Sequence, residues 1–368
     1  MGDIDLSVII VNHNSTSLLI DCFYSIRNQI NSLVYEILVV DSGSCKEEVK
    51  KLNILNKYNY VNVILKEENI GYAKAANIGL ELSRSDHLLI TNPDIIYLPG
   101  SIKGLREALD NLKDCGAISP RVWWDEDKTF LLPNNEYITP LWIFKKNLAG
   151  KLGFLRRFVF DEWLTETMYY IRAEEPVEVD LASGCCIMTK RKIINEIGGF
   201  DEGFSLYFED TDWFLRVKKG GYRLYYVPKA EIVHYYNQSA KLNSDSADFK
   251  FELSMSRYLK KHFGKSLFLF SSLNRFVDFK NKSMKPFYFK DLGSISEPIR
   301  ITVKGNGEKL LLLSPNEYMI PSAISFFKKE HFELNNRIWK RLADGRYYVK
   351  IIRLGDKKVL ESLCFYKK

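Results

Sequence analysis

In LSVIIVNHN, residues 6–14, an apolar, β-branched run gives way abruptly to three polar side chains, Asn12, His13 and Asn14. A run of this kind is buried on both faces if it is a strand, which marks a parallel sheet covered by helices. Outward from it the same punctuation repeats. Helical spacing over 17–29 puts Leu18, Cys22, Ser25 and Ile26 on one side, and EILVVD at 36–41 then reads as a second strand. NVIL at 62–65 is a third, the Ala-rich stretch 72–83 a helix, and DHLLIT at 86–91 a fourth strand. A helix over 99–112 begins with proline, whose missing N–H is harmless in the first turn. Strands alternating with crossover helices predict a doubly wound α/β sheet, which takes ligands at the carboxyl ends of its strands.

Polar residues gather at those ends: Asn12 and Asn14, Asp41 and Ser42, then Asn92 and Asp94. Farther on, Glu209-Asp210-Thr211-Asp212 follows the aromatic SLYF, and His234 closes the apolar AEIV. Carboxylates and an imidazole at strand ends suit a hard divalent cation that keeps open positions for a diphosphate. A further carboxylate nearby can take a proton from an incoming hydroxyl. The set predicts transfer of a group from a nucleotide diphosphate. Taken alone, Asn92-Pro93-Asp94 is an ordinary turn. The acids at 209–212 alone are a helix N-terminus.

With 368 residues the chain can hold two domains, and no apolar run approaches the roughly 20 residues that span a bilayer. MGDIDLSVIIVNHN has no basic region or cleavage site, so it reads as a first strand and not a leader. Cysteines 22, 45, 115, 185, 186 and 364 form no CxxC pair, which predicts free thiols and a cytoplasmic setting. The net charge of +7 favours anionic partners, and no nucleic-acid signature accompanies it. The basic helix FELSMSRYLKKHFGK leaves peripheral contact with the inner face of a membrane open.

In order, SVIIVNHN, VVDSGS, ENIGYAKAAN, TNPD, SGCCIMTKR, GGFDEGFSLYFEDTDWFLR and the later VH…S resemble inverting family 2 glycosyltransferases with the GT-A fold. The bacterial rhamnosyltransferase-like branch that builds cell-surface polysaccharide is the most similar, and the likeness spans about 5–260. It implies that Asp41 contacts the pyrimidine base, with Val11 and Asn12 lining its pocket. Asn69, Gly71 and Asn77 lie beside the nucleotide, Lys74 reaches the phosphates or base, and Asn92 belongs to the donor site. Asp94 and His234 hold Mg2+ or Mn2+. Asp210 is the catalytic base, with Glu209 beside it, and Asp212, Trp213 and Arg216 support the helix that carries them. The donor implied is TDP-rhamnose, with UDP-hexoses and UDP-N-acetylhexosamines as alternatives. The acceptor is a saccharide or lipid-linked saccharide.

The expected organisation is a GT-A domain over 1–278 and a small β-sandwich-like domain over 279–368. The first carries an irregular insertion of short helices at about 123–175 and C-terminal helices at about 245–278. In the second, IRITVK, KLLLLS and a hairpin around Gly355-Asp356 read as strands, with a helical period near 321–330. It shows no acid pair or nucleophile. An inactive saccharide-binding or assembly protein acting through this domain is the rival reading, and oligomerisation stays open.

Overall fold

The computed structural model describes residues 4–30, 33–151, 153–204, 206–235, 250–264 and 288–368. In chain order the elements begin β1 (Leu6–Asn12), α1 (Thr16–Arg27), β2 (Tyr35–Ser42), α2 (Lys46–Leu52) and β3 (Val61–Lys66). Next come α3 (Tyr72–Leu82), β4 (His87–Thr91), β5 (Ile95–Tyr97), α4 (Ser101–Asn111) and β6 (Cys115–Trp123). The middle holds α5 (Pro140–Lys151), α6 (Gly153–Ile171), β7 (Val177–Glu178), β8 (Cys186–Lys190) and α7 (Arg191–Ile197). Then follow α8 (Glu209–Lys219), β9 (Arg223–His234) and α9, residues 250–264. The remaining elements are β10 (Lys290–Ile295), β11 (Arg300–Thr302), β12 (Lys309–Ser314), β13 (Ala323–Phe327) and β14 (His331–Glu333). The chain closes with α10 (Asn336–Arg341), β15 (Gly345–Arg353) and β16 (Lys358–Lys367).

Contacts divide the chain into two units, one of residues 1–122 and 172–262, the other of 123–171 and 263–368. The first unit is built on a mixed sheet ordered β3-β2-β1-β4-β8-β6-β9-β5, with β7 on β9. Pairs among β3, β2, β1 and β4 are parallel, while β8 joins β4 and β6 antiparallel. This is the doubly wound mixed sheet that the GT-A resemblance implies. Every residue of β1 is buried, as its apolar run requires. The order reverses between β1 and β4, so the crevice for a ligand opens at their carboxyl ends. The helix after Pro99 starts only at Ser101, so the proline precedes the first turn instead of occupying it.

The second unit is a five-stranded sheet, β10-β16-β15-β12-β13, and a two-stranded ribbon, β11-β14. One hydrophobic core joins Ile301 of the ribbon, Trp339 of α10, and Leu311, Ile351 and Phe365 of the sheet. The hairpin at Gly355-Asp356 is present as β15 and β16, which pair antiparallel. The period read near 321–330 is not a helix. Ala323–Phe327 pairs with β12, and the helix lies at Asn336–Arg341, capped by the Asn335 side chain on Ile338 N at 2.8 Å. The aromatic AISFF fits a pleated surface, which wins over a weak helical spacing.

Residues 123–171 cluster with these strands. Phe130 sits edge-on against Phe332, ring centroids 5.8 Å apart, and Leu131 bridges Ile324 in antiparallel fashion. Helix α6, at 19 residues, is longer than the short helices expected. Apolar residues occur all around it, so no helical period is visible in its sequence. No helix of the described residues is long and apolar enough to cross a membrane.

Candidate active site

All fifteen predicted site residues fall in the first unit. The parallel register sets Asn12 opposite Asp41 at the ends of β1 and β2. Both are fully buried. Asn12 Nδ2 donates to Asp41 Oδ1 at 2.7 Å, and Asp41 also accepts from Ser44 N at 3.0 Å and Ser44 Oγ at 2.6 Å. The carboxylate therefore holds the β2–α2 turn together. Asn12 Oδ1 has no partner, which leaves an acceptor beside Val11 at the crevice.

A second network fixes the loop that enters α3. Asn69 Oδ1 accepts from Ser42 Oγ at 3.2 Å and Gly71 N at 3.0 Å. Gly43 has φ +64°, and a Cβ there would fall 2.3 Å from the Glu68 carbonyl carbon, so the two loops touch backbone to backbone. His13 bridges them: Nδ1 meets Ser42 O at 2.7 Å and Nε2 meets Asn69 Nδ2 at 3.3 Å. Nδ1 must then carry the proton donated to the carbonyl, and Nε2 accepts. His13 was visible in VNHN but had no role in the sequence reading. Asn77 is committed elsewhere, with Nδ2 on Phe200 O at 2.9 Å and Oδ1 on Phe200 N at 2.8 Å. It anchors α3 to the turn after α7. Lys74 is exposed on α3.

Antiparallel pairing of β5 and β9 brings Asp94 to His234, Oδ1 to Nε2 at 3.2 Å. Asp94 is 4% exposed. Burial alone would lower the histidine's pKa, but Asp94 outweighs it, followed by Cys185, and the net shift is strongly upward. The Cys185 thiol is also a hydrogen-bond partner of His234. Asn92 sits between, its N–H donating to Cys185 O at 2.9 Å. One carboxylate and one imidazole are a small donor set, and the described residues hold no group of three ligands. The pair fits a hard cation whose other ligands come from a diphosphate and water. Ser239, of the VH…S element, and residues 245–249 and 265–278 of the expected terminal helices lie outside the described residues.

The other acids lead α8. Glu209, Asp210 and Asp212 occupy its first turn, where the macrodipole favours negative charge. Asp210 Oδ1 accepts from Thr211 N at 2.7 Å and Thr211 Oγ1 at 3.2 Å. Its side chain lies directly over Gly184, where an added Cβ would fall 1.8 Å from Oδ2. Glu209 is buried, and burial first, then the neighbouring Asp210, push its carboxyl well above the ordinary range. Two carboxylates this close do not readily share full negative charge, and the proton stays with the more buried one.

The chain enters α8 through two successive left-handed residues, Tyr207 and Phe208, each with φ 66°. Such conformations in bulky residues cost about 1–3 kcal/mol each and persist only where packing holds them. Here α9 does so. Phe208 packs on Phe251 at 5.2 Å and on Tyr258 at 5.3 Å between centroids. Asp212, fully buried, binds Arg216 Nε at 2.9 Å, Lys261 Nζ at 2.6 Å and His262 Nε2 at 2.7 Å. Arg216 continues to Ile197 O at 2.8 Å and Gly199 O at 2.6 Å, and Trp213 Nε1 to Gly198 O at 3.0 Å. The expected supporting trio is thus a brace joining α7, α8 and α9.

The two ends of the site are consecutive in sequence through Gly184-Cys185. Gly184 touches Asp210 and Cys185 meets His234. The Cα atoms of Gly184 and Cys185 are necessarily about 3.8 Å apart, so the Asp94–His234 pair and the acid pair both reach the same short stretch of backbone.

The chain is similar to several known proteins. Residues 7–198 match the family model described as glycosyl transferase family 2. The N-acetylglucosaminyl-diphospho-decaprenol L-rhamnosyltransferase of Mycobacterium tuberculosis is 28% identical over 213 residues. That alignment takes in 54% of this chain and 66% of the relative, just under two thirds of its length. The dTDP-rhamnosyl transferase RfbF of Shigella flexneri is 23% identical over 61% of this chain and 70% of its own. Among solved structures, a mannosyltransferase from Pyrobaculum calidifontis in complex with GDP-Man and Mn2+ is similar with a TM-score of 0.49 and 16% identity. It covers 73% of this chain and 65% of the other.

Proposed function

The chain belongs to glycosyl transferase family 2, and on that footing we propose that it moves a sugar from a nucleoside diphosphate to a hydroxyl acceptor with inversion. The observation that supports this reading is the Gly184-Cys185 junction, at which Asp210 and His234 approach two consecutive residues and His234 pairs with Asp94. The rhamnosyltransferase relatives favour dTDP-rhamnose as donor and a saccharide or lipid-linked saccharide as acceptor.

In this mechanism Asn12, Asp41, Asn69 and His13 shape the nucleotide end. Asp94 and His234 would hold Mg2+ or Mn2+, whose chemistry when bound is to offset negative charge on the departing diphosphate. Asp210 accepts the acceptor's hydroxyl proton as that oxygen forms its bond to the anomeric carbon. The bond from that carbon to the diphosphate oxygen breaks on the opposite face. One displacement inverts the centre, and no covalent enzyme intermediate forms.

Donor binding tests the reading. Saturation-transfer NMR with dTDP-rhamnose, UDP-glucose and UDP-N-acetylglucosamine, with and without Mn2+, should show metal-dependent binding of one of them. Binding of none would remove the roles given to Asp94 and His234. A further expectation concerns Gly184→Ala. The new methyl must displace Asp210 by more than an ångström, and a shift of that size lowers turnover about 100-fold. Steady-state kinetics should show the loss in kcat, with donor affinity close to wild type.

A further inference from the structure

Two polar atoms at the acid end are buried without a hydrogen-bond partner, Tyr72 Oη and Glu209 Oε2. Glu209 is 8% exposed and leads α8, whereas Tyr72 opens α3, its ring edge-on to Phe200 at 6.1 Å between centroids. Phe200 also packs on Trp213, 5.8 Å between centroids and one helical turn after Glu209 on α8. Burial and then the acids of α8 push the phenol's pKa up, so the two orphaned atoms come from separate elements to the same end of the site. A buried hydroxyl and carboxylate oxygen without partners have lost their hydration and received nothing in exchange. Two of them in one crevice imply a partner that arrives with the substrate. A sugar hydroxyl suits both, because it donates one hydrogen bond and accepts others. Glu209 keeps an acceptor oxygen in either protonation state.

Resting on the transferase reading above, we propose that Tyr72 and Glu209 together recognise one hydroxyl of the transferred sugar. Tyr72 Oη donates to that hydroxyl and Glu209 Oε2 accepts from it. The transferred sugar is favoured over the acceptor by placement. Tyr72 is at the acid end, where Asp210 lies over Gly184, and the next residue, Cys185, is the one that meets His234 at the diphosphate end. The pair therefore selects donors that carry a hydroxyl at the matching ring position. A deoxy analogue would leave both atoms unpaired, the situation in which polar sites discriminate most strongly.

Tyr72→Phe keeps the ring and removes only the orphaned hydroxyl. Calorimetric titration of the full chain would use dTDP-rhamnose, UDP-glucose and UDP-N-acetylglucosamine with Mn2+, beside dTDP and UDP alone. The sugar nucleotide that binds wild type should bind the variant about tenfold more weakly, while the bare nucleotide binds equally and the unliganded melting temperature does not fall. A merely structural tyrosine would lower the melting temperature and weaken both ligands. Unchanged affinity for the sugar nucleotide would overturn the proposal and leave the transferase reading standing. Absence of any sugar-nucleotide binding to wild type would overturn both. In the double variant with Glu209→Gln, the two losses should be less than additive, since both groups serve one hydroxyl. Fully additive losses would assign two separate contacts and refute the shared site.

Discussion

Asp210→Asn should lower sugar transfer by about 1000-fold and leave donor binding and melting temperature near wild type. The amide retains Oδ1, so the bonds from Thr211 N and Thr211 Oγ1 survive, and its size is that of the group now lying over Gly184. What disappears is a basic oxygen for the acceptor's proton. Glu209 cannot stand in for it. Its carboxyl is buried and held well above the usual pKa range by that burial and by its neighbour, so it keeps its proton where a base must lack one. Transfer assays beside donor titration separate the effects. A variant retaining more than a tenth of wild-type turnover would place the base elsewhere.

The second large effect is on stability. Asp212→Asn should destabilise the protein by about 3 kcal/mol, because removing one member of a buried ion cluster strands the rest. Arg216, Lys261 and His262 all converge on this one side chain. Burial would raise its pKa, but His262, then Lys261 and Arg216, overcome that and bring it down to about 2. The unfolded value is about 3.9, so the folded group is the stronger acid. Its contribution is therefore complete above about pH 4 and is lost as pH falls toward 2, amounting to about 2–3 kcal/mol. Denaturant titrations across that interval should show this acid-dependent loss in wild type and not in the variant. Turnover should fall too, since α9 also props the left-handed Tyr207-Phe208 entry to the acid pair.

The parallel core was legible because a strand buried on both faces leaves a continuous apolar run, as in LSVIIVN. Asp94 with His234 and Glu209 with Asp210 were legible because polar groups at strand and helix ends stand out against such runs. The role of Asn77 in holding Phe200 was not, since 123 residues separate the partners. Neither was the place of Gly184, whose reason is a close approach by Asp210 that no local pattern encodes. Tyr72 was hidden in another way. An aromatic in a helix reads as core, and only the folded chain shows that its hydroxyl lacks a partner. Helix α6 was obscured because its apolar residues leave no helical period, and the strand at Ala323–Phe327 by a weak helical spacing that tertiary packing overrode.

The antiparallel bridge of Leu131 to Ile324 has a consequence for the order in which this protein is made. Translation delivers residues 123–171 long before the strands whose core encloses the fully buried Phe130. On a ribosome advancing about 5–20 residues each second, that aromatic segment waits on the order of ten seconds or more for its partners. The nascent chain exposes a sticky half-core during that interval, while strands β7 to β9 of the first unit are still being made. Loss of the last strands would make the wait permanent, so premature termination should yield an aggregation-prone product and not a smaller working enzyme.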